Sequence, residues 1–261
     1  MKKFILILDI AVLLYAGYQL MLTRQQTKIL FIGNSYTYEN EMPDIFEHLA
    51  ISKGKPVYVE SCTKGKATWL IQSKRSKVFQ TIKKKKWDYV ILQGYSREML
   101  ASPMAMKDTT LPALEKIMRA IEANDSRSKI LFFMTWGYKK GYKPVAKANT
   151  FEKMCNAVRD GYLKLKDRYH CPVVPVGMAW KDSRYKRPNL ELHIDDGAHP
   201  NLYGSYLTAS AFYAAIFNES AIGSAYYGDI APELCYYLQS VASRNVLYQS
   251  KKYGLNWLKR S

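Results

Sequence analysis

Short apolar runs alternate with longer amphipathic segments along most of this 261-residue chain. The unbroken apolar run at 89–92 is typical of a strand buried on both faces. The segment 111–123 instead repeats its apolar residues every three or four positions, which indicates a helix. Strands that alternate with helices predict a parallel sheet covered on both faces. We therefore predict one α/β domain with three layers, α/β/α.

The predicted elements follow one another with short connections. The predicted strands cover 28–34, 56–62, 88–93, 129–136 and 172–176. The predicted helices cover 43–53, 68–85, 111–123, 151–166 and 204–217. We assign 27–225 to the α/β domain and 226–261 to a basic, helical C-terminal extension.

The first 26 residues form a separate segment. Lys2 and Lys3 precede an apolar run, 4–22, in which Asp9 is the one charged residue. A helix of this length spans roughly 28 Å, close to the thickness of a bilayer core. We predict a signal peptide or membrane anchor at 1–26, with a buried soluble helix as the alternative. Either of the first two places the protein outside the cytoplasm, in the periplasm or on the outer face of a membrane.

The chain is strongly basic, with a formal net charge of +17 and a pI of about 9.6. This balance favours anionic partners, such as a charged surface or polymer. The densest basic run, 83–86, ends a predicted helix and complements the negative end of its dipole. No recognition-helix or zinc-finger pattern is present, so we expect no specific nucleic-acid partner.

Metal binding is not predicted, nor is any cofactor. The sequence has four cysteines and four histidines, and none has the spacing of metal ligands. An exported protein permits disulfides, and Cys155 and Cys171 flank one predicted helix-to-strand connection. Buried free thiols are the alternative that we favour.

Polar residues follow the predicted strands where their carboxyl ends should share one edge of the sheet. Ser35 follows the first strand, Gly65 lies in the turn after the second, and 93–96 follows the third. Asp196 and His199 lie three residues apart near the end of the domain. A serine hydroxyl becomes nucleophilic when a base accepts its proton and a third group orients that base. These residues predict a hydrolytic site.

Each of these residues also has a simpler interpretation. Ser35 could serve as a helix cap, a position where serine is preferred. His199 could be an ordinary turn histidine, and Asp195 could replace Asp196 as the orienting acid. The occurrence of all three groups together favours catalysis.

The motifs resemble those of the SGNH (GDSL-type) hydrolase superfamily, over about residues 28–218. The sequence is especially similar to a bacterial branch with Gly-Asn-Ser-(Phe/Tyr)-Thr, Leu-Gln-x-x-Ser, Thr-Trp, Pro-Val-Gly-x-Ala-Trp and Asp-Gly-x-His-Pro motifs. In this chain they begin at Gly33, Leu92, Thr135, Pro175 and Asp196. The resemblance implies a mostly parallel, flavodoxin-like sheet.

The resemblance also implies catalytic roles. Ser35 would be the nucleophile, His199 the general base and Asp196 the acid that orients it. The backbone N–H groups of Ser35 and Gly65 would hold the oxyanion, together with a side chain from the third motif.

That third motif departs from the Gly-x-Asn-Asp pattern of the superfamily. Alignment of the glycines puts Ser96 at the asparagine position, whereas alignment of the strand end puts Gln93 there. We predict Gln93 as the third donor, with Ser96 as the alternative. Asn34, Tyr95 and Trp136 are predicted to bind substrate, although Asn34 could brace the turn and Trp136 could belong to the core.

Together these features predict an exported or membrane-anchored serine esterase. It would remove an acyl group, for example acetyl, from a carbohydrate or related envelope molecule. An acyltransferase could use the same site. A catalytically weak protein that binds glycans is a non-enzymatic alternative.

Overall fold

The computed structural model describes residues 26–258 and contains a five-stranded sheet. All of its strand pairs are parallel, and their order is β2-β1-β3-β4-β5. The strands are β1 (Thr27–Gly33), β2 (Val57–Thr63), β3 (Tyr89–Leu92), β4 (Lys129–Phe133) and β5 (Val173–Val174). The predicted three-layer α/β fold is confirmed.

Helices lie on both faces of the sheet. The first five are α1 (Ser35–Tyr38), α2 (Met42–Ser52), α3 (Trp69–Gln72), α4 (Ser76–Lys84) and α5 (Leu111–Asn124). The remaining four are α6 (Phe151–Tyr169), α7 (Val176–Lys186), α8 (Leu202–Phe217) and α9 (Pro232–Leu247). Shorter helical turns occupy Glu39–Glu41, Glu98–Leu100, Pro103–Ala105, Met106–Thr110, Ala146–Ala148 and Leu255–Leu258.

One predicted helix, 68–85, is two helices in the structure. The break lies between α3 and α4, where two side chains bind the ends of strands. Gln72 Nε2 donates to the carbonyl oxygen of Gly33 at 2.6 Å, and Arg75 donates to that of Thr63 at 3.2 Å. These bonds hold the chain against the sheet edge, so that a straight helix cannot pass through this point.

The last strand is much shorter than predicted because prolines flank it. Pro172 and Pro175 lack the N–H group that a sheet ladder requires, so pairing is limited to Val173 and Val174. The backbone N–H of Val173 donates to the carbonyl oxygen of Tyr253 at 2.9 Å. The C-terminal extension therefore covers this edge of the sheet.

Helix α8 forms the centre of one layer. Nearly all its residues from 204 to 216 are buried, as expected of a helix that is apolar on all sides. The ring of Phe212 lies edge-on to Phe31 of β1 and to Phe133 of β4, with centroids 5.1 and 4.8 Å apart. Helix α9 packs against α8 and α7, so the predicted C-terminal extension is in contact with the domain.

The predicted signal peptide or anchor, 1–26, lies outside the described residues except for its last position. Between residues 26 and 258, no helix is both long and apolar enough to cross a membrane. The four cysteines are free thiols. Cys155 is buried and accepts a hydrogen bond from the backbone N–H of Gly137.

Candidate active site

The nucleophile lies at the junction of β1 and α1, beside the point where the strand order reverses. Strand β1 ends at Gly33, Asn34 caps α1, and Ser35 is the first helical residue. A Cβ atom at Gly33 would lie 2.6 Å from Gln93 Oε1 and still closer to Thr37 Oγ1, so the packing of these two side chains against the turn favours glycine here. Sheets of this order hold ligands in the crevice at this reversal.

The structure brings Ser35, His199 and Asp196 together. Ser35 Oγ lies 2.8 Å from His199 Nε2, and His199 Nδ1 lies 2.5 Å from Asp196 Oδ2. A serine hydroxyl, an imidazole and a carboxylate thus form a continuous hydrogen-bonded series, an arrangement that activates serine nucleophiles in hydrolases. Ser35 is 7% exposed, and His199 is partly exposed.

The loop from 194 to 200 fixes the orientation of the acid. Asp196 Oδ1 accepts hydrogen bonds from the backbone N–H groups of Ala198 at 2.8 Å and His199 at 2.9 Å. Partial burial raises the pKa of Asp196, but the hydrogen bonds from His199 and Ala198 lower it more. The net pKa lies below the usual value, and the carboxylate stays charged beside the imidazole.

A stack of aromatic rings supports the same loop. The Tyr36 ring lies parallel to Trp136 at 4.6 Å, and Trp136 lies parallel to Trp180 at 3.8 Å. Tyr36 also contacts the edge of His199, with centroids 5.4 Å apart. Trp136 Nε1 donates to the carbonyl oxygen of Ala198 at 3.0 Å.

These contacts correct the prediction that Trp136 binds substrate. The ring is fully buried between two other rings, so no face of it is open to a ligand. Its role in the structure is to hold the loop that carries the base. Sequence reasoning had not assigned any role to Tyr36.

Gly65 lies in an exposed turn after β2, next to the nucleophile turn. The N–H of Lys64 donates to the carbonyl oxygen of Gly33, and Asn34 Nδ2 donates to that of Ala67 at 3.0 Å. Among residues 26–258, the backbone N–H groups of Gly65 and Ser35 have no hydrogen-bond partner. Both amides are therefore available to bind an anion, and their part in an oxyanion hole stays a prediction.

Gln93 has a different function from the one predicted. Its Oε1 accepts hydrogen bonds from the backbone N–H of Asn34 at 2.7 Å and from Thr37 Oγ1 at 3.0 Å. Its Nε2 donates to the neighbouring carbonyl oxygen of Gly94, and the residue is 1% exposed. The side chain stabilises the turn of Ser35, because its oxygen is the acceptor for the N–H of Asn34 and the hydroxyl of Thr37.

Ser96, the alternative third donor, is also buried and its hydroxyl lies 2.7 Å from Tyr138 Oη. Asn34 is 2% exposed, and its side chain caps α1 and binds the next turn, so it braces the site and does not face substrate. Tyr95 is partly exposed and stays a candidate for substrate contact.

A buried carboxyl group that sequence reasoning missed links two of the turns. Glu98 accepts hydrogen bonds from the backbone N–H of Tyr95 at 2.7 Å and from that of Trp69, the first residue of α3, at 3.1 Å. Burial raises the pKa of Glu98 to about 7, although both hydrogen bonds act to lower it. The only signal in the sequence is a lone glutamate in an apolar stretch.

We expect the Glu98→Gln variant to lose a pH dependence of stability. The folded-state pKa of about 7 exceeds the ordinary value of 4.5, so folding favours the protonated carboxyl group. This contribution is complete below pH 4.5 and is lost as the pH rises to about 7, by up to about 3 kcal/mol. Urea unfolding measures this effect. Between pH 5 and pH 8 the free energy of unfolding should decrease less for the variant than for the wild type.

Glu122→Gln is the matched control, because Glu122 is exposed on α5. It should keep the pH dependence of the wild type. Equal pH dependence in the wild type and Glu98→Gln would contradict the assignment.

No cluster of histidine, cysteine or acidic residues in the described part of the chain could hold a metal ion.

A cleft of about 830 Å³ lies between α6, α7 and α9. None of the triad residues lines it.

Comparisons with known proteins agree with the fold. No protein-family profile and no curated protein matches the sequence. Among solved structures, a DUF4886 family protein from Bacteroides uniformis ATCC 8492 superposes with a TM-score of 0.75 at 19% identity, over 90% of this chain and 100% of that one.

Two further solved structures also superpose. The acetyl xylan esterase AlAXEase has a TM-score of 0.55 at 15% identity, over 72% of this chain and 99% of that one. TesA has a TM-score of 0.53 at 13% identity, over 71% and 96%. All three structures are less than 20% identical to this chain, so the likeness shows a shared fold, which agrees with the fold that the resemblance in the sequence implies.

Proposed function

We propose that this protein is a serine hydrolase of the SGNH type that cleaves an acyl ester through an acyl-enzyme on Ser35. The observation that carries the proposal is the hydrogen-bonded series Ser35–His199–Asp196, with distances of 2.8 and 2.5 Å. It lies at the carboxyl end of β1, beside two backbone N–H groups without partners. The fold shared with SGNH/GDSL-like hydrolases supports the same class.

In the first half of the reaction, Ser35 Oγ attacks the ester carbonyl carbon and His199 Nε2 accepts the serine proton. Negative charge develops on the carbonyl oxygen, where the N–H groups of Ser35 and Gly65 would stabilise it. Asp196 stabilises the imidazolium that forms, because its carboxylate binds Nδ1. The C–O bond then breaks, and His199 returns its proton to the leaving alcohol.

In the second half, a water molecule gives its proton to His199 and attacks the acyl carbon. The ester bond to Ser35 Oγ breaks, the carboxylic acid leaves, and the serine regains its proton. No step needs a metal ion or an organic cofactor.

We further propose a carbohydrate or related envelope ester as the substrate, for example an acetyl ester. Lys64 and Lys66 flank Gly65 in its exposed turn, and the whole chain carries a net charge of +17. Basic groups beside the nucleophile favour an anionic substrate or polymer. A neighbour in fold is an acetyl xylan esterase, which is compatible with this class.

The direct test is covalent labelling of the full-length protein with a fluorophosphonate, followed by peptide mapping. We expect one adduct on Ser35, because only an activated serine reacts readily with this probe. The His199→Asn variant should lose the adduct. His170→Asn is the matched control, because His170 is exposed at the end of α6, and it should label like the wild type. A folded protein without an adduct on Ser35 would contradict the proposal.

Transfer of the acyl group to a sugar hydroxyl is the alternative that the same site permits, since both reactions share the acyl-enzyme. Product analysis with an added glycan acceptor separates them. If the protein only binds glycans, Ser35→Ala should still show saturable binding, and Ser35 should not be labelled covalently.

Export or membrane anchoring by residues 1–26 remains a proposal from the sequence, which cell fractionation would test.

A further inference from the structure

A cationic side chain that pairs with no carboxylate in the described part of the chain lies among tyrosines after β3. Arg97 follows β3 and is half-buried among aromatic rings. Its Nη2 donates to Tyr95 Oη at 3.0 Å, and its guanidinium carbon lies 5.2 Å from the Tyr95 ring centroid and 4.8 Å from that of Tyr142. We call Tyr95, Arg97, Tyr138 and Tyr142 the arginine–tyrosine cluster.

Arg97 has no ion pair with any carboxylate among residues 26–258. Arg75, Arg119, Arg184 and Arg187 also have none within this range, whereas four arginines do have such pairs: Arg127 with Asp125, Arg159 with Asp160, Arg168 with Glu115 and Arg244 with Asp182. A guanidinium has five N–H donors, and Arg97 interacts through them with the hydroxyl groups of Tyr95 and Tyr142. The remaining donors, and a charge that no carboxylate among residues 26–258 balances, are available to a ligand.

The cluster is connected to the loop of Asp196 and His199 through the residue that follows Tyr138. Tyr138 Oη lies 2.7 Å from Ser96 Oγ, and the rings of Tyr138 and Tyr142 meet edge-on with centroids 6.4 Å apart. Lys139, the residue after Tyr138, donates its backbone N–H to the carbonyl oxygen of Gly197 at 2.7 Å, within the loop that carries the base. The arginine–tyrosine cluster thus borders the loop of Asp196 and His199.

Tyr36 provides a second connection. Its ring contacts His199, and its hydroxyl is close enough to Tyr138, Ser96 and Tyr95 for their charges or dipoles to affect it. Burial raises the pKa of this hydroxyl well above its usual value, and Tyr138 raises it further. Tyr36 therefore interacts both with His199 and with residues of the cluster.

The chemistry of the cluster matches a carboxylate. A guanidinium binds a carboxylate through two parallel hydrogen bonds, and partial burial between rings reduces the screening by solvent. One guanidinium balances one negative charge, whereas a phosphate monoester carries close to two. Tyrosine rings also offer flat surfaces with polar edges, on which a sugar ring can pack.

We propose that Arg97, with Tyr95 and Tyr142, forms a subsite that binds a carboxylate of the ester substrate. The substrate class is then an acidic ester, such as an O-acylated uronic acid residue. This inference rests on the proposed hydrolase function of the same site. Arg97 acts in it as a residue that determines specificity, and it takes no part in the proton transfers.

The test compares matched esters that differ in one charge. The probes are the acetyl esters of 3- and 4-hydroxybenzoate and those of the corresponding hydroxybenzamides. We expect the wild type to prefer a carboxylate ester over its amide, with a kcat/KM ratio of roughly 10 to 100, the range for a hydrogen bond to a charged group. Arg97→Gln should remove this preference through a higher KM for the carboxylate ester, and should lower kcat/KM for the carboxylate ester much more than for the amide.

Two further variants separate recognition from folding. Arg97→Lys keeps the charge without the planar fork and should retain part of the preference. Arg119→Gln removes the charge of an exposed arginine on α5 and should keep the whole preference. Equal cleavage of both esters by the wild type, or an equal loss of both in Arg97→Gln, would overturn the subsite.

Failure of the hydrolase proposal gives a different result. In that case the wild type cleaves none of the four esters. The subsite is then tested by calorimetric binding of benzoate and benzamide. Benzoate should bind the wild type more tightly than Arg97→Gln, and benzamide should not distinguish them. Equal binding of benzoate to both proteins would overturn the carboxylate subsite on its own.

Discussion

The Ser35→Ala variant should lose at least roughly 10⁴-fold in kcat for p-nitrophenyl acetate, while it folds like the wild type. Removal of the nucleophile of a catalytic triad has effects of this size, because only binding and the oxyanion donors then remain. Ser35 Oγ forms a hydrogen bond with His199, which is partly exposed. Removal of the hydroxyl therefore leaves no buried group of the core without a partner. The measurement is steady-state hydrolysis, with the melting temperature as a check on folding.

Ser76→Ala is the matched control for this variant. Ser76 is also the first residue of a helix that begins at the sheet edge, α4, but it is exposed and outside the triad. It should keep the activity of the wild type. Undiminished hydrolysis by Ser35→Ala would show that another group performs the reaction, and would remove the basis of the proposed mechanism.

The Asp196→Asn variant should lose about 10⁴-fold in kcat with little change in stability. Asn can still accept the hydrogen bonds from the backbone N–H groups of Ala198 and His199, so the loop should keep its shape. The amide, however, presents N–H to His199 Nδ1 where the carboxylate presented an acceptor. The imidazole then carries its proton on Nε2, which faces Ser35 and can no longer accept the serine proton.

Asp195→Asn tests whether the position or the local charge matters. Asp195 is adjacent and exposed, and its substitution removes the same unit of charge from the same loop. It should lower kcat by less than about threefold, through the weak effect of a solvated charge. A larger loss in Asp195→Asn than in Asp196→Asn would reverse the assignment of the acid.

The alternation of strands and helices could be predicted from the sequence, because strands and helices repeat their apolar residues with different periods. The triad was equally accessible, since Ser35 follows an apolar run and Asp196 and His199 have a short, fixed spacing. The missed element was α7, Val176–Lys186. It carries a glycine in its first turn and several charges, so no clear apolar stripe marks it as a helix.

The error at Gln93 has a related cause. Its place after β3 indicated a residue at the carboxyl edge of the sheet, and the structure places it there, beside the turn of Ser35. Whether its amide faces a ligand or the protein depends on the partners that the fold supplies. Here the N–H of Asn34 and the hydroxyl of Thr37 needed an acceptor at a buried position, and leaving them unpaired would cost free energy.

By itself the sequence determined the layer architecture, because each element has its own hydrophobic period. It also indicated the edge of the sheet at which the candidate site lies and the three residues of its hydrogen-bonded series, because these follow from strand polarity and short spacings. Only the tertiary structure decided which polar side chains face the crevice. Three of the predicted side chains face the protein interior. Trp136 stacks on another ring, and Asn34 and Gln93 accept hydrogen bonds from backbone N–H groups of the site. Arg97 and Glu98, adjacent in sequence, received opposite roles, since one lies half-exposed among tyrosines and the other is buried on backbone N–H groups. Such differences depend on contacts between residues far apart in the chain, which no local pattern contains.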